Sequence, residues 1–446
     1  MKENLRHAPQ ELSQRIADFT VSFSLASAPF KVLDNAKLAI LDCLGVSVLA
    51  TAQEIGRALL DFARANAGSG HCTIWGTGMT TNARDAALIN GALAHGLDYD
   101  DRNHSTTYTL AASIAAAEQL DLSGAELLEA FIVGREVRNS LDALFGRRSA
   151  GIGPGAKGWH ANGILGPIAS ACSASKTMGL NRQQTLAAIG LATGSCGALT
   201  RDGGTMAKPF RTGHAAATGL NCALLAKSGF SSDATALEGR YGLLEALGPI
   251  PEDILASLAS DLGTKFHLET EIRIKPYSSC TATHNGLESM LRLALKHSID
   301  PQTVEAIECD QKPYPLVRQC PERGFEGRFS MAFCLAMALI HRAVNPNDFT
   351  DEQVKNPLVQ DLMRRTRHTP DVPSLVVKLK DGTRLEEPLN TASDLHGWEA
   401  VRKKFKDCVS DISEDHEAQR VLTLVGQIES IPSIRLLTKA LQTKTV

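Results

Sequence analysis

The run Ser123-Gly124-Ala125-Glu126-Leu127-Leu128-Glu129-Ala130-Phe131-Ile132-Val133 reads as the opening of a long helix, and its pattern governs more than half of the chain. Ser123 and Glu126 have capping-box spacing, in which each side chain satisfies a backbone N–H that the first turn would otherwise orphan. The apolar residues behind them recur at helical period. Ala36-Lys37-Leu38-Ala39-Ile40-Leu41-Asp42-Cys43-Leu44 shows the same period, and Asn181 with Gln184 repeats the cap. Helical signal dominates from Gln10 to about Leu262. Helix-length blocks follow Leu122, Leu180 and Phe230 without a fixed repeat, which argues against a solenoid. Aromatic residues are only 5% of the chain while Ala and Gly crowd its first half, so small side chains must do much of the packing and let helices approach closely.

From about Glu269 the pattern changes to short β-rich runs: Thr270–Ile274, Val304–Cys309 and Ser374–Leu379. Asp381-Gly382 stands between strand-like residues and predicts a hairpin. After Trp398 the period is helical again, through Phe405 and across Gln419–Val425. The fold class expected is therefore mainly α: a large all-helical domain over residues 1–268, completed by 398–446, and a smaller α/β (α+β) domain over 269–397.

The chain has 446 residues, 46 Lys plus Arg against 49 Asp plus Glu, and a formal charge of -3. That balance argues against nucleic-acid or membrane-surface binding driven by bulk charge. With 43% hydrophobic residues and this length, more than one core is expected. The chain starts with charged, periodic sequence and nowhere has ~18 consecutive apolar residues, so a soluble, untargeted, cytoplasmic protein is expected. Ten scattered cysteines without a C-x-x-C pair fit reduced, buried thiols.

No H-E-x-x-H, EF-hand loop or Walker A sequence occurs, and the histidines have no metal-ligand spacing, so neither a metal enzyme nor a nucleotide enzyme is expected. Gly151–Ala156 superficially fits G-x-G-x-x-A, but it follows Gly146-Arg147-Arg148 instead of an apolar strand and contains Pro154, which makes it a loop. Ala94–His104 gathers several carboxylates and the Arg102 guanidinium just after a small-residue helix. Its structural alternative is a cap and a solvated turn, with Asp98 capping a helix that starts near Thr106. His160, in Gly158–Gly163, would ordinarily be structural. Lys208 and Lys275 each precede a proline, which predicts extended backbone and an outward side chain. The bland reading is two surface loops; two cations entering one cleft would suit an anionic substrate. Ser278–His284 places hydroxyls and His284 at a loop-to-helix junction able to receive a carboxylate. Cys280 there is a nucleophile, an acid or simply a small helix-start residue. Tyr314, between two prolines, and Arg328, before Phe329, complete the candidates.

In this order the H-x-x-D-Y-D-D segment at His95–Asp101, Gly158-Trp159-His160, Met206-Ala207-Lys208-Pro209, and Lys275-Pro276-Tyr277 followed by His284 resemble the MmgE/PrpD family over nearly the whole chain. The resemblance implies a cleft between a helical and an α/β domain, a homodimer and no cofactor. It also implies a small polycarboxylate as substrate, and the near-neutral charge balance adds the expectation of no nucleic-acid or membrane partner. By position, Asp98, His160, Lys208 and Lys275 match polar active-site residues of the family, and Tyr314 matches a site tyrosine. Arg102, His104, Tyr108, His284 and Arg328 are the substrate-binding candidates. The family chemistry implied is proton movement at a carbon beside a carboxylate. Arg102 and Tyr108 stand where decarboxylating members have threonine and histidine. Overall length and the Asp101-Arg102-Asn103-His104 version of the acidic segment resemble most the epimerising members of the family, and that resemblance implies cofactor-independent epimerisation of iminodisuccinate as the expected activity. Dehydration of 2-methylcitrate, or decarboxylation like that of cis-aconitate, is the runner-up, and a helical scaffold or binding protein is the non-enzymatic alternative.

Overall fold

In the computed structural model, residues 12–145, 153–248, 250, 254, 258, 261–270, 272–310 and 318–442 are described. Among these described residues nine helices carry most of the first part: α1 (Leu12–Ser22), α2 (Phe30–Thr51), α3 (Glu54–Asn66), α4 (Ala83–His95), α5 (Ser105–Leu120), α6 (Gly124–Leu141), α7 (Ala161–Thr177), α8 (Arg182–Thr193) and α9 (Ala207–Lys227). Both capping boxes form. The Ser123 N–H donates to Glu126 at 2.8 Å, and the Asn181 N–H donates to Gln184 at 3.1 Å. A two-stranded ribbon, β1 (Cys72–Thr73) with β2 (Thr80–Thr81), precedes α4.

Helices α4, α5 and α7 pack on α9, and small residues make the approach possible. A Cβ added to Gly213 of α9 would lie 2.1 Å from the Leu88 carbonyl oxygen, and one on Gly91 of α4 would lie 2.9 Å from the Gly213 Cα. The crossing therefore depends on backbone-to-backbone contact that no larger side chain permits.

The later part carries a four-stranded sheet in the order β4-β3-β5-β6, made of β3 (Val304–Cys309), β4 (Thr366–His368), β5 (Ser374–Leu379) and β6 (Arg384–Pro388). Strands β3 and β4 are parallel and the other neighbours antiparallel, with Ile307 opposite Val377. The hairpin turns at Asp381-Gly382, where Gly382 has φ +89°. Helices His284–His297, Met331–His341 and Pro357–Arg365 complete this layer. Buried apolar side chains form two clusters. The larger runs from Leu12 to Ile274 and resumes at Val401–Leu441; the smaller holds Cys280 to Val377 and takes Ile55 from α3. Helix Gly397–Val409 returns onto α2, where buried Lys404 pairs with Asp42 at 2.6 Å. Among the described residues no single helix is long and apolar enough to cross a membrane.

Several expectations need correction. Thr270–Ile274, expected as a strand, forms no ladder among its described residues: Ile274 makes isolated bridges to Asp101 and Leu395, and Glu271 lies outside the described residues. The segment after Phe230 is mostly turns before the short helix Leu243–Leu247. Pro154–Lys157 is a 3-10 turn, while 146–152 lie outside the described residues. Lys208 is not extended but helical, because Pro209 falls in the first turn of α9, where a missing N–H costs no intrahelical bond. Asp98 does not cap α5; the carboxylate accepting the Thr106 N–H is that of Asp101.

Candidate active site

Helix α4 ends at His95, and the chain reverses into α5 through residues 96–104. Asp98 (φ +48°) and His104 (φ +59°) both adopt the left-handed region there, a conformation that non-glycine residues hold only when their surroundings impose it. The surroundings are visible. Arg328 Nε donates to the Leu97 carbonyl at 3.2 Å and Ser278 Oγ donates to the same oxygen at 2.8 Å. Lys404 Nζ donates to the Tyr99 carbonyl at 2.6 Å, and the Arg102 N–H donates to the Arg273 carbonyl at 2.9 Å. Asp101 accepts from Arg135 Nη1 at 2.8 Å.

Asp98 is buried between two ammonium groups, Lys275 at 2.6 Å and Lys208 at 3.1 Å. Burial alone would push its carboxyl up, but Lys208 and Lys275 outweigh burial and hold it well below the usual carboxylate range. Lys275 donates to the Asp98 carboxylate, to the Asp98 carbonyl at 2.8 Å and to the Ser279 carbonyl at 3.3 Å. An ammonium has three hydrogens, so Lys275 is fully engaged. Burial would lower its pKa, yet Asp98 keeps it raised and the group charged. Lys208 lies over the Phe329 ring at 4.8 Å and lines the cavity.

Three imidazoles surround this pair. Asp100, ionised because His104 and His95 outweigh its burial, accepts from His95 Nδ1 and His104 Nδ1, both at 2.9 Å. The two rings lie 4.1 Å apart, and His104 Nε2 is 3.8 Å from Asp98. His160 is the N-cap of α7, and its Nδ1 accepts the Asn162 N–H at 3.3 Å. Burial, then the nearby Arg211 and Lys208, keep His160 well below the ordinary histidine range and hence neutral.

A cavity of about 190 Å³ brings together six of the expected residues: Asp98, Arg102, His104, His160, Lys208 and Lys275. Thr200, Cys280, Thr281 and Phe329 join them. Burial raises the Cys280 thiol, so it stays protonated. Three expected substrate contacts are set apart. Tyr108 is fully buried and its hydroxyl accepts from Arg138 Nε at 3.1 Å. His284 is buried against the Ser279 carbonyl, 3.2 Å from its Nε2, and Arg328 holds the Leu97 carbonyl. Tyr314 lies outside the described residues. Arg102 lines the cavity but does not offer a free fork, because its Nε bonds Asp394 and its Nη2 donates to the Ala392 carbonyl at 3.2 Å.

Asp100 and His95 went unselected, although the H-x-x-D-Y-D-D spelling contains both; their pairing needs the reversed turn that only the fold supplies. Together with Asp98 and His104 they form a group whose ligand atoms lie within 4.8 Å of one another. It is a poor metal cage, because Asp98 already faces two ammonium groups and both Asp100 oxygens hold imidazole N–H groups. A larger, more open groove of about 740 Å³ beside Trp398, Arg402 and Lys406 has no such convergence of buried groups.

Residues 14–252 match the MmgE/PrpD N-terminal domain and residues 277–430 the MmgE/PrpD C-terminal domain. Cis-aconitate decarboxylase of Mus musculus is 27% identical to this chain over 451 residues, covering 93% of the chain and 90% of the relative. The Homo sapiens cis-aconitate decarboxylase is 24% identical, covering 92% and 90%, and that of Aspergillus terreus is 23% identical, covering 96% and 95%.

Proposed function

Because this chain belongs to the MmgE/PrpD family, we propose that it is a cofactor-independent lyase that acts on a small polycarboxylic acid at a carbon beside a carboxylate. The observation that carries this reading is the buried Lys275–Asp98–Lys208 array facing a small cavity shared with two imidazoles. Loss of a proton or of carbon dioxide beside a carboxylate leaves an electron pair that spreads onto the carboxylate oxygens as an enediolate. Fixed donors already aimed at those oxygens stabilise it more than water does, since they need no reorganisation. Lys275 cannot supply them, being fully engaged; Lys208 and His160 can. Lys275 holds the Asp98 turn and Asp98 holds Lys208.

The names of the relatives favour lyase chemistry, with a cis-aconitate-like tricarboxylate as the first substrate to try. Epimerisation of iminodisuccinate, favoured by sequence, becomes the second reading. It leaned on Arg102 as a free carboxylate clamp, and Arg102 is paired with Asp394. It keeps support from Arg102 lining the cavity and from two imidazoles there, since a two-sided proton exchange needs two groups. Convergence of the polar side chains speaks against a bare scaffold. A homodimer belongs to this proposal because the family resemblance implies it, and a cytoplasmic location because the scattered thiols suit a reducing compartment.

Incubating the protein with cis-aconitate, 2-methylcitrate and iminodisuccinate separates the readings. Carbon dioxide release or a new unsaturated acid from one of the first two supports a lyase, and loss of that turnover in a folded Lys208→Ala variant supports the site. Stereoisomer interconversion of iminodisuccinate without either product overturns the lyase reading in favour of the second.

A further inference from the structure

We propose that the two imidazoles lining the cavity are locked in opposite tautomers, His104 as the proton acceptor and His160 as a hydrogen-bond donor that keeps its proton. This assignment rests on the carbon-acid reading above and divides its roles. The lock on His104 is Asp100. An ionised carboxylate only accepts, so in the neutral His104 ring the one hydrogen sits on Nδ1, 2.9 Å from Asp100, which leaves Nε2 bare on the Asp98 side of the cavity. His95 steadies the same carboxylate from its other oxygen, at 2.9 Å, and packs on His104 with ring centroids 4.1 Å apart. Asp100 and His95 are thus positioning residues, not catalytic ones.

The lock on His160 is the start of α7. A backbone N–H only donates, so His160 Nδ1, which accepts from Asn162, is bare and the hydrogen sits on Nε2. A side chain that caps a helix in this way shares the positive end of the helix and stays neutral, which suits it to donate to a developing oxyanion without transferring its proton.

The substrate C–H bond breaks, its proton forms a bond to His104 Nε2, and its electron pair moves into the enediolate, whose oxygen accepts hydrogen bonds from His160 Nε2–H and Lys208. Asp100 and Asp98 flank the imidazolium so formed. In the return direction the proton goes back to carbon.

Two measurements test this. Long-range proton–nitrogen spectra of the protein labelled in its histidine rings, with signals assigned by His104→Gln and His160→Gln, read the tautomers directly and need no substrate. Hydrogen on Nδ1 of His104 and on Nε2 of His160 is expected; the reverse at either ring overturns the proposal. The second measurement is deuterium exchange from solvent into a substrate C–H. His104→Gln should lower exchange by about a hundredfold or more, the usual range for a lost base. His160→Gln, which keeps an N–H donor, should lose about tenfold at most, while His160→Ala loses far more. Asp100→Asn should lower kcat with KM nearly unchanged, a split that a purely structural role would not produce. If the unaltered protein exchanges and His104→Gln exchanges as fast, the acceptor assignment falls. If the unaltered protein neither exchanges nor turns over any of the three acids, the proposed function falls, and the ring spectra still decide the tautomers.

Discussion

Lys275 and Lys208 touch the same carboxylate yet do different work, and substitution should separate them. Lys275→Met leaves two carbonyl oxygens buried without their donor and Asp98 with Lys208 as its remaining ammonium partner; breaking a buried pair typically costs about 3–5 kcal/mol, so its denaturant midpoint should drop sharply. Lys208→Ala, at the cavity, should lose turnover while keeping most of its midpoint. His284 gives a pH prediction. Burial, then Lys275, lowers its pKa to about 3, so the fold holds it neutral while the unfolded chain takes a proton near pH 6.5. The unfolded state therefore binds more protons between those values, and stability falls as pH drops from about 6.5 towards 3. The slope from this one group is at most about 1.4 kcal/mol per pH unit. Midpoints measured from pH 4 to 7 should show it, and His284→Gln should flatten the curve. An unchanged curve in that variant would mean His284 does not carry the effect.

Between α4 and α9 the contact is backbone on backbone. Gly213→Val must push a side chain into the Leu88 carbonyl, so the variant should lose about 1–3 kcal/mol or more of stability, read as a lower thermal midpoint. The caps of α6 and α8, the Asp381-Gly382 hairpin and the strand Val304–Cys309 were readable in the chain because each is decided within a few residues. Thr270–Ile274 has strand-like residues but, among the described residues, Ile274 meets only isolated bridge partners, and β propensity expresses itself only against a paired strand. Lys208-Pro209 misled for a related reason: the rule for residues before proline favours extended backbone, and the first helical turn overrode it.

Across the whole molecule, the cavity gathers residues as distant as Asp98 and Lys275 at the seam of two apolar clusters, the second of which supplies Cys280 and Phe329. The motifs pointed at six of its lining residues because each carries unusual polar density in a short stretch. What they could not show is who holds whom. Asp394, 292 residues from Arg102, turns an expected clamp into a pair, and Lys404 ties helix Gly397–Val409 to Asp42, to the Tyr99 carbonyl and to the Lys275 carbonyl. Tyr108, His284 and Arg328, chosen for their chemistry, do not line the cavity: Tyr108 bonds Arg138, His284 lies against the Ser279 carbonyl and Arg328 holds the Leu97 carbonyl of the turn. The central claim is that this seam makes a carbon beside a carboxylate exchange its substituent through an enediolate. The most direct test is to offer cis-aconitate, 2-methylcitrate and iminodisuccinate in deuterium oxide and follow the carbons next to carboxylates by NMR, with Lys208→Ala in parallel. The account predicts deuterium at such a carbon in at least one substrate or its product, and its loss in Lys208→Ala; no incorporation from any of the three, or incorporation undiminished in the variant, would contradict it.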